Sequence, residues 1–195
     1  MTETFRFDPL LESFMDSSEH HVDISDPPHH SSPPSSESTA YLGSRVSVVN
    51  VSLSSVTRLL LRTPPDTLVV AIPELGQCTG LAAKRVLRFF PGRLSFILLP
   101  GDVLKLCPKS ELVSGFLFKF SSQSILSESK LHGVDDPSLI SLADTLPGHE
   151  SLLLSCAKQM INPGTSSLVI DPLEASVFSL LASLVAPEPK SVPTN

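Results

Sequence analysis

Histidine and cysteine are the residues of this chain best suited to metal binding or nucleophilic chemistry, and their positions decide what they can do. His20, His21, His29 and His30 fall in one Ser/Pro/acid-rich stretch, His132 and His149 lie towards the C-terminus, and none stands between Tyr41 and Leu131. A protein metal site needs imidazoles and carboxylates converging from neighbouring elements. The two His-His pairs offer a transition ion only a weak hold, and a solvated tether is the plainer reading. Cys78, Cys107 and Cys156 are odd in number and far apart, which fits reduced thiols and neither a disulfide framework nor a clustered zinc site. Cys107 precedes Pro108 and Cys156 falls on a helical apolar stripe, so both read as small hydrophobes rather than activated nucleophiles. The run PGTSSL at Pro163 to Leu168 lacks the lysine of a phosphate loop. Lys84, Arg85, Arg88 and Arg93 could take an anionic partner, or simply solvate a strand face and discourage edge pairing. The expectation is a non-enzymatic chain with no cofactor and no metal.

Composition narrows the setting. The chain has 195 residues and a net charge of −6, with 41% hydrophobic and 17% charged residues. No apolar run looks long enough to span a bilayer, and Glu3, Arg6 and Asp8 replace the basic start of a secretory signal. A cytoplasmic protein without membrane contact is expected. Eight acids against Arg6 alone make Met1 to Ala40 −7, leaving the remainder close to neutral. A near-neutral body offers no basic field for phosphate backbones, so direct nucleic-acid binding is not expected.

The elements that must position these residues change character along the chain. Residues 1–40 form an acidic, Ser/Pro/His-rich arm expected to be disordered, although Phe5, Phe7, Leu10, Leu11 and Phe14 make an apolar patch able to dock somewhere. From Arg45 to Phe120, about eight short apolar runs punctuated by Gly, Pro and Asp read as strands. Phe116, Phe118 and Phe120 alternate with Leu117 and Lys119, so the phenyls are expected to face a barrel interior and Lys119 to reach solvent. Runs such as Leu59 to Leu61 and Phe96 to Leu99 are apolar on both faces, which calls for a covering layer. Helical spacing follows: a short helix after Asp136-Pro137, one from His149 to Ile161, and one with Asp171 as N-cap, Pro172 in its first turn and Glu174 three residues on, the pattern of a capping box. The fold class is mainly β with C-terminal helices, an antiparallel barrel over 41–125, a helical part over 126–186 and a linker over 187–195.

Thr67 to Gly76, Leu87 to Gly101 with its Pro91-Gly92 and Pro100-Gly101 corners, and Gly115 to Ile125 make a recognisable series, followed by amphipathic stretches at Leu146 to Ile161 and Asp171 to Ala186. Over Tyr41 to Ala186 the chain resembles the N-terminal sensory domain of AraC-type transcription regulators, a cupin-like β-barrel followed by dimerisation helices. The helix-turn-helix units that end such regulators have no counterpart here, and the histidines of a cupin metal site are missing.

The resemblance implies a small-molecule effector held in the barrel by Val70, Ile72, Phe96, Leu98, Phe116 and Phe118. It also implies a homodimer formed through the last helix. There Leu173, Val177, Leu180, Leu181 and Leu184 would form an apolar stripe, and Ser179 and Ala182 would lie on a free small-residue face. A filled barrel serving as a protein-interaction module, and a metal-free cupin enzyme, remain alternatives. A cavity of a few hundred Å³ would separate the effector reading from the filled barrel.

Overall fold

Alternating apolar residues in β-rich runs form two antiparallel sheets in a computed structural model, which describes residues 39–54, 59–64, 66–82, 85–94, 97–98, 101–128, 140–142 and 148–187. The first sheet has the order β1 (Thr39–Leu42), β2 (Val46–Ser54), β9 (Leu112–Ser121), β4 (Thr67–Leu75), β7 (Ile97–Leu98). The second has β3 (Leu59–Arg62), β8 (Val103–Pro108), β5 (Cys78–Ala82), β6 (Arg85–Phe89). Non-consecutive neighbours such as β2-β9-β4 show that the chain crosses between sheets instead of meandering within one. Gly92 and Gly101, from the two expected Pro-Gly corners, have φ of 71° and 76°, the left-handed region glycine enters without steric cost.

Among the described residues three helices follow or interleave: α1 (Ser122–Glu128), α2 (His149–Met160) and α3 (Ser167–Leu184). They cover one face of the first sheet. Val46 and Val48 of β2, Leu68, Val70 and Ile72 of β4, and Phe116, Phe118 and Phe120 of β9 share a core with Ile125, Leu153, Met160, Val177, Phe178 and Leu181. The opposite face of the same strands meets the second sheet: Val49, Leu53, Val69, Ala71, Val113 and Leu117 pack on Cys78, Phe89, Leu104 and Leu106.

This corrects the expected register. Period two is present in β9, but both of its faces are covered, and the phenyl face turns to the helices rather than into the barrel. Lys119 pairs across to Ser47 and Val69, and alternation puts it on the inter-sheet face with Leu117, where it is half-buried. Large phenyls suit the wide gap between sheet and helices, while smaller Val, Ala and Leu suit close sheet packing.

The C-terminal part also departs from expectation. Helix α3 starts before Asp171 because Ser166 caps it: Ser166 Oγ accepts from Leu168 N–H at 3.3 Å, and its carbonyl accepts from Val169 and Ile170 N–H. Pro172 therefore lies inside the helix, where it forgoes one bond near the start. Ile140–Leu142 forms strand β10, paired antiparallel with β11 (Val185–Pro187), instead of helix and linker. The start of the helix expected after Asp136, all but the last two residues of the arm over 1–40, and 188–195 lie outside the described residues. By length and composition α3 is apolar enough to cross a bilayer, contrary to the sequence reading. In this fold, Glu174, Val177, Phe178, Leu181, Ala182 and Leu184 are buried, so one face of α3 packs on the sheet while about two thirds of the helix is not buried.

Candidate functional site

Glu174 is the one charged side chain buried among the described residues, and it fixes α3 to the sheet. Its carboxylate accepts from Tyr41 Oη at 2.9 Å, from Val46 N–H at 3.0 Å, from Arg45 N–H and, at 3.5 Å, from Ser44 Oγ. Burial on its own would push the carboxyl up. The Arg45 and Val46 N–H groups, with the Tyr41 and Ser44 hydroxyls, outweigh it and hold the group below its ordinary value. Tyr41 moves the other way, to about 12, first through burial and then through its bond to the carboxylate. A Cβ on Gly43 would stand 2.5 Å from the Val46 carbonyl oxygen and 2.6 Å from Glu174 Oε1, so the turn between β1 and β2 needs glycine to admit the carboxylate.

With α3 held in this way, α2 and α3 leave an open apolar groove of about 440 Å³ between them. Leu152 and Cys156 line it from α2, and Val169, Pro172, Leu173, Ser176, Val177 and Leu180 from α3. Leu152 is 53% exposed, Val169 45% and the neighbouring Leu168 86%. Three consecutive leucines, Leu152 to Leu154, account for the exposure of Leu152, since a helix can bury only part of such a run. Burial raises the Cys156 thiol above its ordinary value.

The space between the sheets is much smaller. A cavity of about 50 Å³ lies among Leu53, Ala71, Cys78, Phe89, Leu106, Val113 and Leu117. Around it the packing is tight, since a Cβ on Gly80 would stand 2.7 Å from the Phe89 ring and 2.8 Å from Leu104. Cys78 borders the cavity, and its thiol is pushed up to about 11, chiefly by burial. Among the described residues, no group of three or more His, Cys, Asp or Glu converges as metal ligands would.

The residues expected to line an effector pocket are therefore placed differently. Val70, Ile72, Phe116 and Phe118 belong to the sheet-helix core, and only Ile72 and Phe116 also border the small cavity. Phe96 and the Leu98 side chain lie outside the described residues. Of the expected dimerisation residues, Leu173, Val177 and Leu180 line the groove, Ser179 is exposed, and Ala182 and Leu184 are buried in the core. Ser179 and Ala182 thus share no free face. Sequence reasoning missed Leu152 and Val169, whose exposure depends on the angle between two helices, and Glu174, which reads locally as part of a capping pattern.

Two covered faces of one sheet, a second sheet and C-terminal helices make a cupin-like β fold followed by helices. No family model and no curated protein matches the chain. Among solved structures it is similar to the AraC-like transcriptional activator CuxR, with a TM-score of 0.52 and 15% identity over 88% of this chain. The match covers 65% of CuxR, just under two thirds of that chain's length. Partial likenesses include the Cnp3 cupin domain of Schizosaccharomyces pombe (TM-score 0.39, 12% identity, 60% of this chain and 95% of that one). Another is a cupin protein of Bacteroides fragilis (TM-score 0.40, 12% identity, 49% and 86%).

Proposed function

We propose that this chain is a non-enzymatic regulatory module in which a filled cupin-like barrel presents the α2-α3 pair, and that this pair joins two copies of the chain. The groove carries the reading. It is apolar, open, and edged by Leu152, Leu168 and Val169 in positions where water would otherwise cover them. A two-fold contact between helix pairs is self-complementary and closes, as most homo-oligomer contacts do. The likeness to CuxR, described as an AraC-like transcriptional activator, supports a regulatory setting. Three free thiols suit the reducing cytoplasm.

The filled barrel is preferred to effector binding because the inter-sheet cavity of about 50 Å³ holds a few waters at most. Sites for small organic ligands run from about 300 to 1,000 Å³. Sedimentation tests the pairing. The wild-type chain should be a dimer, and Leu152→Arg with Ser176→Arg, two exposed groove positions, should give a monomer with unchanged circular dichroism. A wild-type monomer, or a variant that stays dimeric, would reject the reading.

A further inference from the structure

Helices cover the first sheet, whereas among the described residues no element packs on the outer face of the second along β5, β6 and β8. Its outward positions include Leu81, Val86 and Val103, which are 49%, 70% and 37% exposed, together with Arg88 and Lys105. The register places Leu81 directly between Val86 and Lys105. The outward positions of these three strands, Thr79, Leu81, Val86, Arg88, Val103, Lys105 and Cys107, include no acid. The face is therefore apolar and cationic, and an antiparallel sheet with one solvated face ordinarily alternates apolar with polar residues.

We propose that the N-terminal segment of this same chain, Met1 to Phe14, docks on that face. The segment has complementary chemistry: Phe5, Phe7, Leu10, Leu11 and Phe14 are interleaved with Glu3, Asp8 and Glu12, against the single base Arg6. A second copy of the chain is a poor occupant, since the face set against itself would oppose Arg88 and Lys105 with more cations. Reach is sufficient. Between Phe14 and Thr39 stand 24 residues, and a coil of that length spans roughly 27 Å, comparable with the radius of a domain of this size and extensible to about 80 Å. Because the segment is tethered, its effective concentration at the face is on the order of 1 mM, which suffices for a weak contact. The contact uses the barrel's far side and does not depend on the helix-pair groove.

Cys107, half-buried on the same face, reports occupancy, and Cys156 in the groove is the reference thiol in the same sample. Iodoacetamide alkylation of the full-length chain should be about tenfold slower at Cys107 than in a variant carrying Phe5→Ser, Leu10→Ser and Leu11→Ser. Arg88→Glu with Lys105→Glu should release Cys107 equally, and adding Glu3→Lys, Asp8→Lys and Glu12→Lys to that pair should restore protection. Cys156 rates at a fixed protein concentration should not move. A Cys107 rate indifferent to the arm substitutions, or a protection that grows with protein concentration, would overturn the proposal. Loss of concentration dependence at Cys156 would instead bear on the helix-pair dimer alone.

Discussion

Tyr41 on β1 donates its hydroxyl proton to Glu174 on α3 at 2.9 Å, across 133 residues of sequence. One buried carboxylate thereby fixes the first described strand to the helix that forms one wall of the groove. Tyr41 is the only tyrosine and the chain has no tryptophan, so the absorbance change that accompanies phenolate formation reads this phenol alone. Phenolate should form at about 12 in the folded wild type, and closer to the ordinary 10.0 in Glu174→Gln. The raised value gives the sign: stabilisation from this group is complete below the unfolded value of about 10, and is lost as pH rises through about 12. A wild-type phenol titrating near its ordinary value would contradict the geometry.

Acid tests the other partner. Since the Glu174 carboxyl is held below its ordinary value, its stabilisation is complete above the unfolded value of about 4.3, and is lost as pH falls below that value through the folded one. Urea midpoints between about pH 6 and pH 3 should fall more steeply for wild type than for Glu174→Gln. Parallel slopes would show that the carboxylate is not held. Glu174→Ala leaves the Arg45 and Val46 N–H groups without their acceptor and should cost about 3 kcal/mol at neutral pH.

Phe118 is fully buried between sheet and helices, so Phe118→Ala should cost roughly 3 to 5 kcal/mol. Gln123→Ala, on the exposed side of α1, should change stability by less than about 0.5 kcal/mol. Equal denaturation midpoints would reject the placement of the phenyl face.

Leu117 lies next to Phe118 in sequence but on the other face, bordering the inter-sheet cavity. Leu117→Ala should cost about 2 to 5 kcal/mol and enlarge that cavity. Xenon should then enter the variant crystal at this position more fully than in wild type. Equal occupancy in both would mean that the barrel is not filled as described.

The contrast between Leu117 and Phe118 also shows what was legible in the sequence. Alternation in Gly115 to Phe120 revealed a strand, and Pro-Gly punctuation revealed its neighbours, because both are local consequences of backbone geometry. Which face met which layer was not local. A strand covered on both sides shows no polar face to orient it, and Lys119 was a false cue because a half-buried lysine can keep its stem among apolar neighbours. Glu174 was misread for a related reason. Three residues after Asp171 it fits a capping pattern, and only the return of β1 and β2 to α3 supplies the N–H groups that let a carboxylate be buried. The groove was half legible: Leu173, Val177 and Leu180 follow from helical spacing, whereas Leu152 and Val169 are exposed only because of how two helices meet.

The pairing of two chains through the α2-α3 groove is tested most directly by the alkylation rate of Cys156, measured on the wild-type chain as a function of its own concentration. Cys156 lines the groove, so a second copy seated there must shield it. The account predicts a rate that falls as concentration rises, with its midpoint where sedimentation finds half the chains dimeric, and no such fall in Leu152→Arg with Ser176→Arg. A Cys156 rate that stays constant while the chain dimerises would place the contact elsewhere and contradict the account.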